Sequence, residues 1–369
     1  MRMKKLADLG EELKAESRFG DAFFTIEVAV GTPEQKLPMI LDSASADLPG
    51  EEKPKVYDPS KSSTSDIIPG AEWSVYYADG NQASGSVALD TITLTPSLQL
   101  PNSTVQIANT TSFYLATSTI TGLIGMARAL PSTIRGWNAR TVRAQIASAL
   151  PLDERFLGID LKANSSEGAY IFGDVDPRAY EGNITWFEGE DPGSFWTVFV
   201  TGVKVGGGSN FTKNGGGGGG DRTSKQRFDP FAAIVDTATS LIFLPGAVAS
   251  AYWVDVPGAR LDATFDSWIF PCSGTEELPA FTVEIGDGEF EALVPGKYMN
   301  YGEIDEDVFK RVGSGEEPGW DEAMCLGGLQ SSGGLEVAIL GDVFVKSLFV
   351  VLGLEDGKIG FARKKLDLK

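Results

Sequence analysis

Short apolar runs alternate with polar residues along most of the chain, and glycine, proline or asparagine interrupts them at close intervals. Phe23-Phe24-Thr25-Ile26-Glu27-Val28-Ala29-Val30 alternates as a strand, and Gly31-Thr32-Pro33-Glu34 turns it. Lys36-Leu37-Pro38-Met39-Ile40-Leu41 then runs into Asp42. Two alternating stretches, Trp73-Ser74-Val75-Tyr76-Tyr77 and one starting at Ser84, flank an Asp79-Gly80-Asn81 tip and predict a β-hairpin. Thr121-Gly122-Leu123-Ile124-Gly125-Met126 is a further apolar strand. Later in the chain, Trp196-Thr197-Val198-Phe199-Val200 and Val203-Lys204-Val205 are strand-like, and Ile234-Val235 runs into Asp236. Ala338-Ile339-Leu340-Gly341-Asp342 echoes the Leu123-Ile124-Gly125 element. The N-terminus differs. Leu6, Leu9 and Leu13 fall at helical spacing among charges, so residues 1–17 read as a short amphipathic helix or a leader.

Two of these stretches organise the rest. Ile40-Leu41-Asp42-Ser43-Ala44-Ser45 and Ile234-Val235-Asp236-Thr237-Ala238-Thr239 share one plan: an apolar run, an aspartate, a hydroxyl residue, an alanine and a second hydroxyl residue. They lie 194 positions apart (236 minus 42), and each is followed by an apolar strand ending in glycine. A chain built twice over is the economical reading: all-β, two-lobed, one carboxylate supplied by each half. The division expected is a leader or prosegment remnant at 1–17, a first lobe over 18–188 and a second over 189–369.

Composition narrows the chemistry. With 369 residues the chain can bury two substantial cores, and 44 glycines and 19 prolines favour turns and short strands over long helices. No apolar run is long enough to span a membrane as a helix. Lys and Arg total 31 against 51 Asp and Glu, a formal charge of −20, so no basic stripe exists to neutralise nucleic acid or an anionic surface. That charge reads either as solubility alone or as the mark of a protein working in acid, where many carboxylates are protonated, and charge by itself does not choose between the two. Asn214 and the glycines from Gly215 to Gly220 lack the Lys-Ser/Thr ending of a phosphate loop and read as an insertion.

Histidine is absent, which removes Ser-His-Asp and Cys-His catalysis and the usual His-ligated metal sites. Cys272 and Cys325 are too few for a Cys-rich zinc site. They are either two buried thiols or a disulfide, whose loop closure is worth about 4 kcal/mol in the chain-entropy model. Five N-glycosylation sequons, at Asn102, Asn109, Asn164, Asn183 and Asn210, favour the disulfide and a secretory or vacuolar compartment. The first residues lack the apolar centre of a signal peptide, so the expectation is a mature, trimmed or incomplete form.

Ordered motifs then match a known family. Phe23-x-Thr25-Ile26, Val30-Gly31-Thr32-Pro33-x-Gln35, Trp73-Ser74-Val75-x-Tyr77, Gly122-Leu123-Ile124-Gly125 and Ala233-Ile234-Val235-Asp236-Thr237 come in sequence. Pro271-Cys272-Ser273, the run from Cys325 to Ser332, and Ile339-Leu340-Gly341-Asp342-Val343-Phe344 follow. From about Phe23 to Phe361 the chain resembles the pepsin-type aspartic peptidases, most closely the fungal secreted members.

The resemblance implies a bilobal β fold whose central cleft brings Asp42 and Asp236 together around one water, with no metal or cofactor. Matched residue by residue, Ser43 and Thr237 cross-link the two aspartate loops, and Ser45 and Thr239 hydrogen-bond the carboxylates from outside. Tyr77 and Gly80 belong to a hairpin flap that closes over substrate. Asp79 matches an acidic flap position that in some fungal members accepts a basic residue before the scissile bond. Ala44 and Ala238 would line the cleft floor. The implied partners are a peptide or protein substrate and pepstatin-like inhibitors, with the protein acting as a monomer.

Several positions depart from the family pattern. Ala44 and Ala238 stand where glycine normally follows Asp-Ser/Thr, and Ala78 replaces a flap glycine. Pro49, within Asp47-Leu48-Pro49-Gly50, occupies the place of a tryptophan that normally holds the flap tyrosine. Residues 50–56 are shortened, and Thr121 sits where an aspartate is common. An alanine with positive φ would cost roughly 1 kcal/mol, whereas negative φ would preserve the geometry. Two functions follow: an acid endopeptidase, or a pepsin-fold protein that binds peptide or inhibitor without cleaving it.

Overall fold

Strand Phe23–Val30 buries Phe24, Ile26, Val28 and Val30, because neighbouring strands cover both its edges and its inner face. A computed structural model describes residues 11–18, 20–45, 49–50, 56–77, 80–111, 120–189, 195–206, 229–304, 320–335 and 337–366 of the chain. Strand Phe23–Val30 turns through Gly31 to Glu34 and pairs antiparallel with strand Gln35–Asp42. Strand Gln35–Asp42 in turn lies parallel to strand Gly122–Gly125, with Leu41 opposite Ile124 and Asp42 opposite Gly125. The hairpin is formed by strands Asp66–Tyr76 and Gln82–Thr93, paired from Tyr76 opposite Gln82 outward.

The second half repeats this plan. Strand Phe231–Val235 runs parallel to strand Ala338–Leu340, with Val235 opposite Leu340. Its other edge pairs antiparallel with strand Thr197–Val205. The two strand-like pieces read around Val200 and Val203 are thus one strand, with a register shift between Val200 and Gly202. In both halves an aspartate strand and a glycine-terminated strand lie side by side and end together.

A shared antiparallel sheet holds the halves together. Its strand order is Glu181–Phe187, Ile359–Arg363, Leu348–Gly353, Phe156–Asp160, Gly168–Phe172 and Glu11–Arg18. Strand Phe156–Asp160, from the first half, pairs with Leu348–Gly353 near the C-terminus, Leu157 opposite Leu352. Large side chains from both halves, among them Phe24, Phe172, Phe344 and Phe361, share one continuous core.

Residues 11–18 correct the helix expected there. Glu11–Arg18 is a strand, paired with Gly168–Phe172 and, through its last three residues, with Phe23–Val30. Leu13 and Ala15 point inward while Glu12 and Lys14 are exposed, a period of two. The open edge of strand Gly168–Phe172 offers backbone partners that outweigh a marginal helical spacing. Leu6 and Leu9 lie outside the described residues.

Cys272 and Cys325 form a disulfide joining the end of strand Ser267–Pro271 to strand Met324–Gly327. Asn102, Asn109, Asn164 and Asn183 are all exposed, and Asn210 and the glycine run lie outside the described residues. Among the described residues no helix is long and apolar enough to cross a membrane.

Candidate active site

The two aspartates sit where their strands end, and strand pairing aims both at one place. Asp236 N–H donates to Leu340 O at 3.1 Å, and the Asp42 carbonyl accepts from Met126 N–H at 2.7 Å. Each aspartate loop is therefore held by the glycine-terminated strand beside it.

Side chains then lock the loops to each other. Ser43 N–H donates to Thr237 Oγ1 at 3.2 Å, and Thr237 N–H donates to Ser43 Oγ at 3.0 Å. The same hydroxyls donate across the interface to backbone carbonyls: Ser43 Oγ to Val235 O at 2.8 Å, Thr237 Oγ1 to Leu41 O at 2.5 Å. Both residues are fully buried. Each of these hydrogen bonds offsets the desolvation of a backbone group that would otherwise be orphaned in the core.

The carboxylates are held in near-identical ways. Ala44 N–H donates to Asp42 Oδ1 at 2.8 Å, and Ala238 N–H donates to Asp236 Oδ1 at 2.9 Å. Thr239 Oγ1 donates to Asp236 Oδ2 at 2.5 Å, and Ser45 hydrogen-bonds Asp42. Neither alanine has positive φ. The methyls therefore cause no left-handed strain, and the N–H groups are used as a glycine's would be.

Burial, followed by the charge of Asp236, pushes Asp42 up to about 7, against the opposing hydrogen bonds of Ser45 and Ala44 N–H. Burial also raises Asp236, opposed by Thr239 and by the N–H groups of Ala238 and Thr239. Two carboxyls this desolvated and this close retain a proton between them well above the ordinary carboxylate range. One acid and one base side by side can activate a water and protonate an acceptor together.

The hairpin tip is narrow. Tyr77 N–H donates to Asn81 O at 2.8 Å, Gly80 N–H donates to Tyr77 O at 3.0 Å, and Gly80 has φ of +85°. Tyr77, Phe23 and Ala238 pack against a small apolar cluster of Ile40, Ile120 and Leu123, which borders the Asp42 strand. Ala78, Asp79, Asp47 and Leu48 lie outside the described residues. Pro49–Gly50 is a short strand beside Gln106 and Ile107. Thr121 Oγ1 donates to Pro38 O at 3.0 Å, anchoring the start of the neighbouring strand.

Two buried groups behind the pair were not singled out from the sequence. Tyr170 and Asp342 are enclosed beneath the Asp236 loop. The halves could have been superposed by register: Gly125 and Gly341 correspond, so Met126 in the first half corresponds to Asp342 in the second. An acid opposite a methionine was the available signal.

The model of the family described as eukaryotic aspartyl protease matches residues 23–364. Endothiapepsin of Cryphonectria parasitica is 34% identical over 355 residues, covering 93% of this chain and 75% of the relative. Podosporapepsin of Podospora anserina is 33% identical over 358 residues, covering 94% and 75% respectively. The crystal structure of an aspartic proteinase from Irpex lacteus shares the fold, with a TM-score of 0.71 at 18% identity over 97% of this chain and 98% of that one.

Proposed function

The chain belongs to the eukaryotic aspartyl protease family, and on that premise we propose that it is an active endopeptidase. It cleaves peptide bonds at acid pH with a water held between Asp42 and Asp236. The observation that carries this reading is the state of the two alanines: both N–H groups hold a carboxylate, at negative φ.

The chemistry follows from one shared proton. The ionised carboxyl takes a proton from water as its oxygen attacks the peptide carbonyl, and the protonated partner donates to the carbonyl oxygen. Collapse of the resulting gem-diol returns its hydroxyl proton to one carboxylate and breaks the C–N bond. The other carboxyl protonates the leaving nitrogen. The pair ends with the single proton it began with, and no covalent intermediate forms.

Ser43, Thr237, Ser45 and Thr239 hold the pair in register. Tyr77 and Gly80 belong to the flap that covers bound peptide, and the apolar cluster of Ile40, Ile120 and Leu123 supports an apolar side chain beside the scissile bond. From the sequence, Asp79 favours Lys or Arg before that bond; identical cleavage sites in wild type and Asp79→Ser would refute this. The lobes are taken as 18–188 and 189–369, working as a monomer on peptides or unfolded proteins. The disulfide and the exposed sequon asparagines support a secretory or vacuolar setting.

The test is a pH-rate profile on an unfolded protein substrate for wild type and Asp42→Asn. Expected are an acid optimum and a loss of roughly 10³-fold or more in the variant. No cleavage between acid and neutral pH, or cleavage indifferent to the substitution, would overturn the reading. A wild type that bound a pepstatin-like inhibitor without turnover would then be a peptide-binding protein.

A further inference from the structure

Four aspartates stand directly before a proline: Asp58-Pro59, Asp176-Pro177, Asp191-Pro192 and Asp229-Pro230. Such a bond is a weak point of a backbone in acid, for two chemical reasons. The proline nitrogen belongs to a tertiary amide with no N–H, and it takes up a proton more readily than an ordinary amide. The aspartate carboxyl also stands within reach of its own main-chain carbonyl carbon and can attack it from inside the chain. Where the carboxyl is held decides whether it attacks.

Two of the four are held away. Asp58 Oδ1 accepts from Ser60 N–H at 3.0 Å and from Ser60 Oγ at 2.6 Å, and Oδ2 pairs with Lys61 Nζ at 2.9 Å. The main-chain carbonyl of Asp58 accepts from Gln35 Nε2 at 2.9 Å. Asp176 Oδ1 accepts from the N–H and Nε of Arg178, both at 2.9 Å, and Oδ2 accepts from Arg178 Nη2 at 2.8 Å. Each carboxyl reaches forward over its proline to the residue two places on, as aspartates in turns do. Asp191 and Pro192 lie outside the described residues.

Asp229 differs. Asp229 and Pro230 are both exposed, and among the described residues nothing hydrogen-bonds or pairs with the Asp229 carboxyl. Pro230 leads directly into strand Phe231–Val235, which carries the chain to Asp236. That strand is fastened on both edges, by Thr197–Val205 and by Ala338–Leu340. A break before it would therefore leave it in place. The shared sheet, through Phe156–Asp160 and Leu348–Gly353, and the hydrogen bonds between Ser43 and Thr237 also cross from one piece to the other. The Cys272–Cys325 bridge lies wholly within the second piece, so non-covalent contacts alone would join the two.

We propose that in acid the chain hydrolyses its own Asp229–Pro230 bond and becomes a two-chain molecule, residues 1–229 and 230–369. A carboxyl oxygen of Asp229 bonds to its main-chain carbonyl carbon, closing a cyclic anhydride. The C–N bond breaks, and its electron pair stays on the Pro230 nitrogen, which takes the carboxyl proton. Water then opens the anhydride, leaving Asp229 with a free α-carboxyl and Pro230 as a new N-terminus. Asp42 and Asp236 end on different chains that remain assembled. The cut uses neither carboxyl of the pair, so it stands apart from the endopeptidase reading.

The test follows intact mass and N-terminal sequence with time in dilute acid, for Asp42→Asn and for wild type held with a pepstatin-like inhibitor. The products expected are 1–229 and 230–369, co-eluting on native gel filtration and separating in denaturant without reductant. Misplacing an attacking group by about 1 Å costs on the order of 10²-fold, so Asp58–Pro59 and Asp176–Pro177 should break at least roughly tenfold more slowly in the folded protein. In acid with guanidinium the three bonds should break within a fewfold of one another. Asp229→Glu, which must close a larger ring, should stay whole at this junction. An intact Asp229–Pro230 bond, equal rates at the three bonds without denaturant, or an undiminished cut in Asp229→Glu would overturn the proposal. So would pieces that part on native gel filtration. A cut seen in uninhibited wild type but in neither Asp42→Asn nor the inhibited protein would be self-digestion, and would equally decide against it.

Discussion

Ser43 and Thr237 each give a backbone N–H to the other's side-chain oxygen, at 3.2 and 3.0 Å, so two residues 194 positions apart close one ring of hydrogen bonds. The ring is the mechanical link between the halves at the point where the two carboxyls meet. Its loss is expected to affect both stability and turnover. Ser43→Ala leaves Thr237 N–H and Val235 O unpaired in the core, at about 1–3 kcal/mol for each buried group. Thermal unfolding should register the drop, and kcat should fall at least tenfold while KM changes little, since the acids lose register and the apolar peptide contacts remain. Unchanged kcat in a destabilised variant would show that the ring supports the fold alone.

The two alanines invite the reverse substitution. Because φ is negative at both, Ala44→Gly and Ala238→Gly gain no conformational access and add unfolded-state entropy, costing about 0.5–1 kcal/mol each. Cleavage rates should stay within a fewfold of wild type. A rise of tenfold or more in kcat/KM would mean that the methyls obstruct substrate.

Acidity should stabilise the fold. Asp42, Asp236 and Asp342 all titrate higher in the native protein than the ordinary 3.8, so the native state keeps protons that the unfolded chain has released. Their contribution is full below that ordinary value and is lost as pH rises through the folded value, about 7 for Asp42. Asp90 works in the opposite sense. Burial opposes its charge, but hydrogen bonds from Thr64 and Tyr57 win and hold it low, so its contribution is lost in stronger acid. The melting temperature should therefore peak in mild acid and fall by several degrees towards pH 8. A melting temperature that rose from pH 5 to pH 8 would contradict the burial of the three acids.

Reduction should loosen the second lobe. Cys272 and Cys325 are separated by 53 positions, and cross-linking a loop of that size is worth about 4 kcal/mol in the chain-entropy model. Melting with and without reductant, or in Cys272→Ser with Cys325→Ser, measures the difference. Activity at low temperature should survive, since the bridge joins strands Ser267–Pro271 and Met324–Gly327, neither of which carries an aspartate of the pair.

The pair was legible because its signature is local and occurs twice, as Ile40 to Ser45 and Ile234 to Thr239. The hairpin was legible because Asp79-Gly80-Asn81 is turn chemistry between alternating strands. The strand at Glu11–Arg18 was not, since its partner, Gly168–Phe172, is far away in sequence and a few leucines at helical spacing prevailed locally. The φ angles of Ala44 and Ala238 leave no trace in composition. Asp342 was visible as a residue and invisible as a neighbour, because only the parallel register places it behind Asp236.

The shared sheet sets an order of assembly. Strand Phe156–Asp160 needs Leu348–Gly353 beside it, and Leu157 waits 195 positions (352 minus 157) for Leu352. A chain emerging from the ribosome can build its first aspartate loop early, but the second loop and the strand that fastens the halves arrive last. Contacts this distant in sequence make the closing step slow. A nascent chain that stops short of Asp236 carries one carboxyl of the pair, and the paired site is braced only once the last strands have been made.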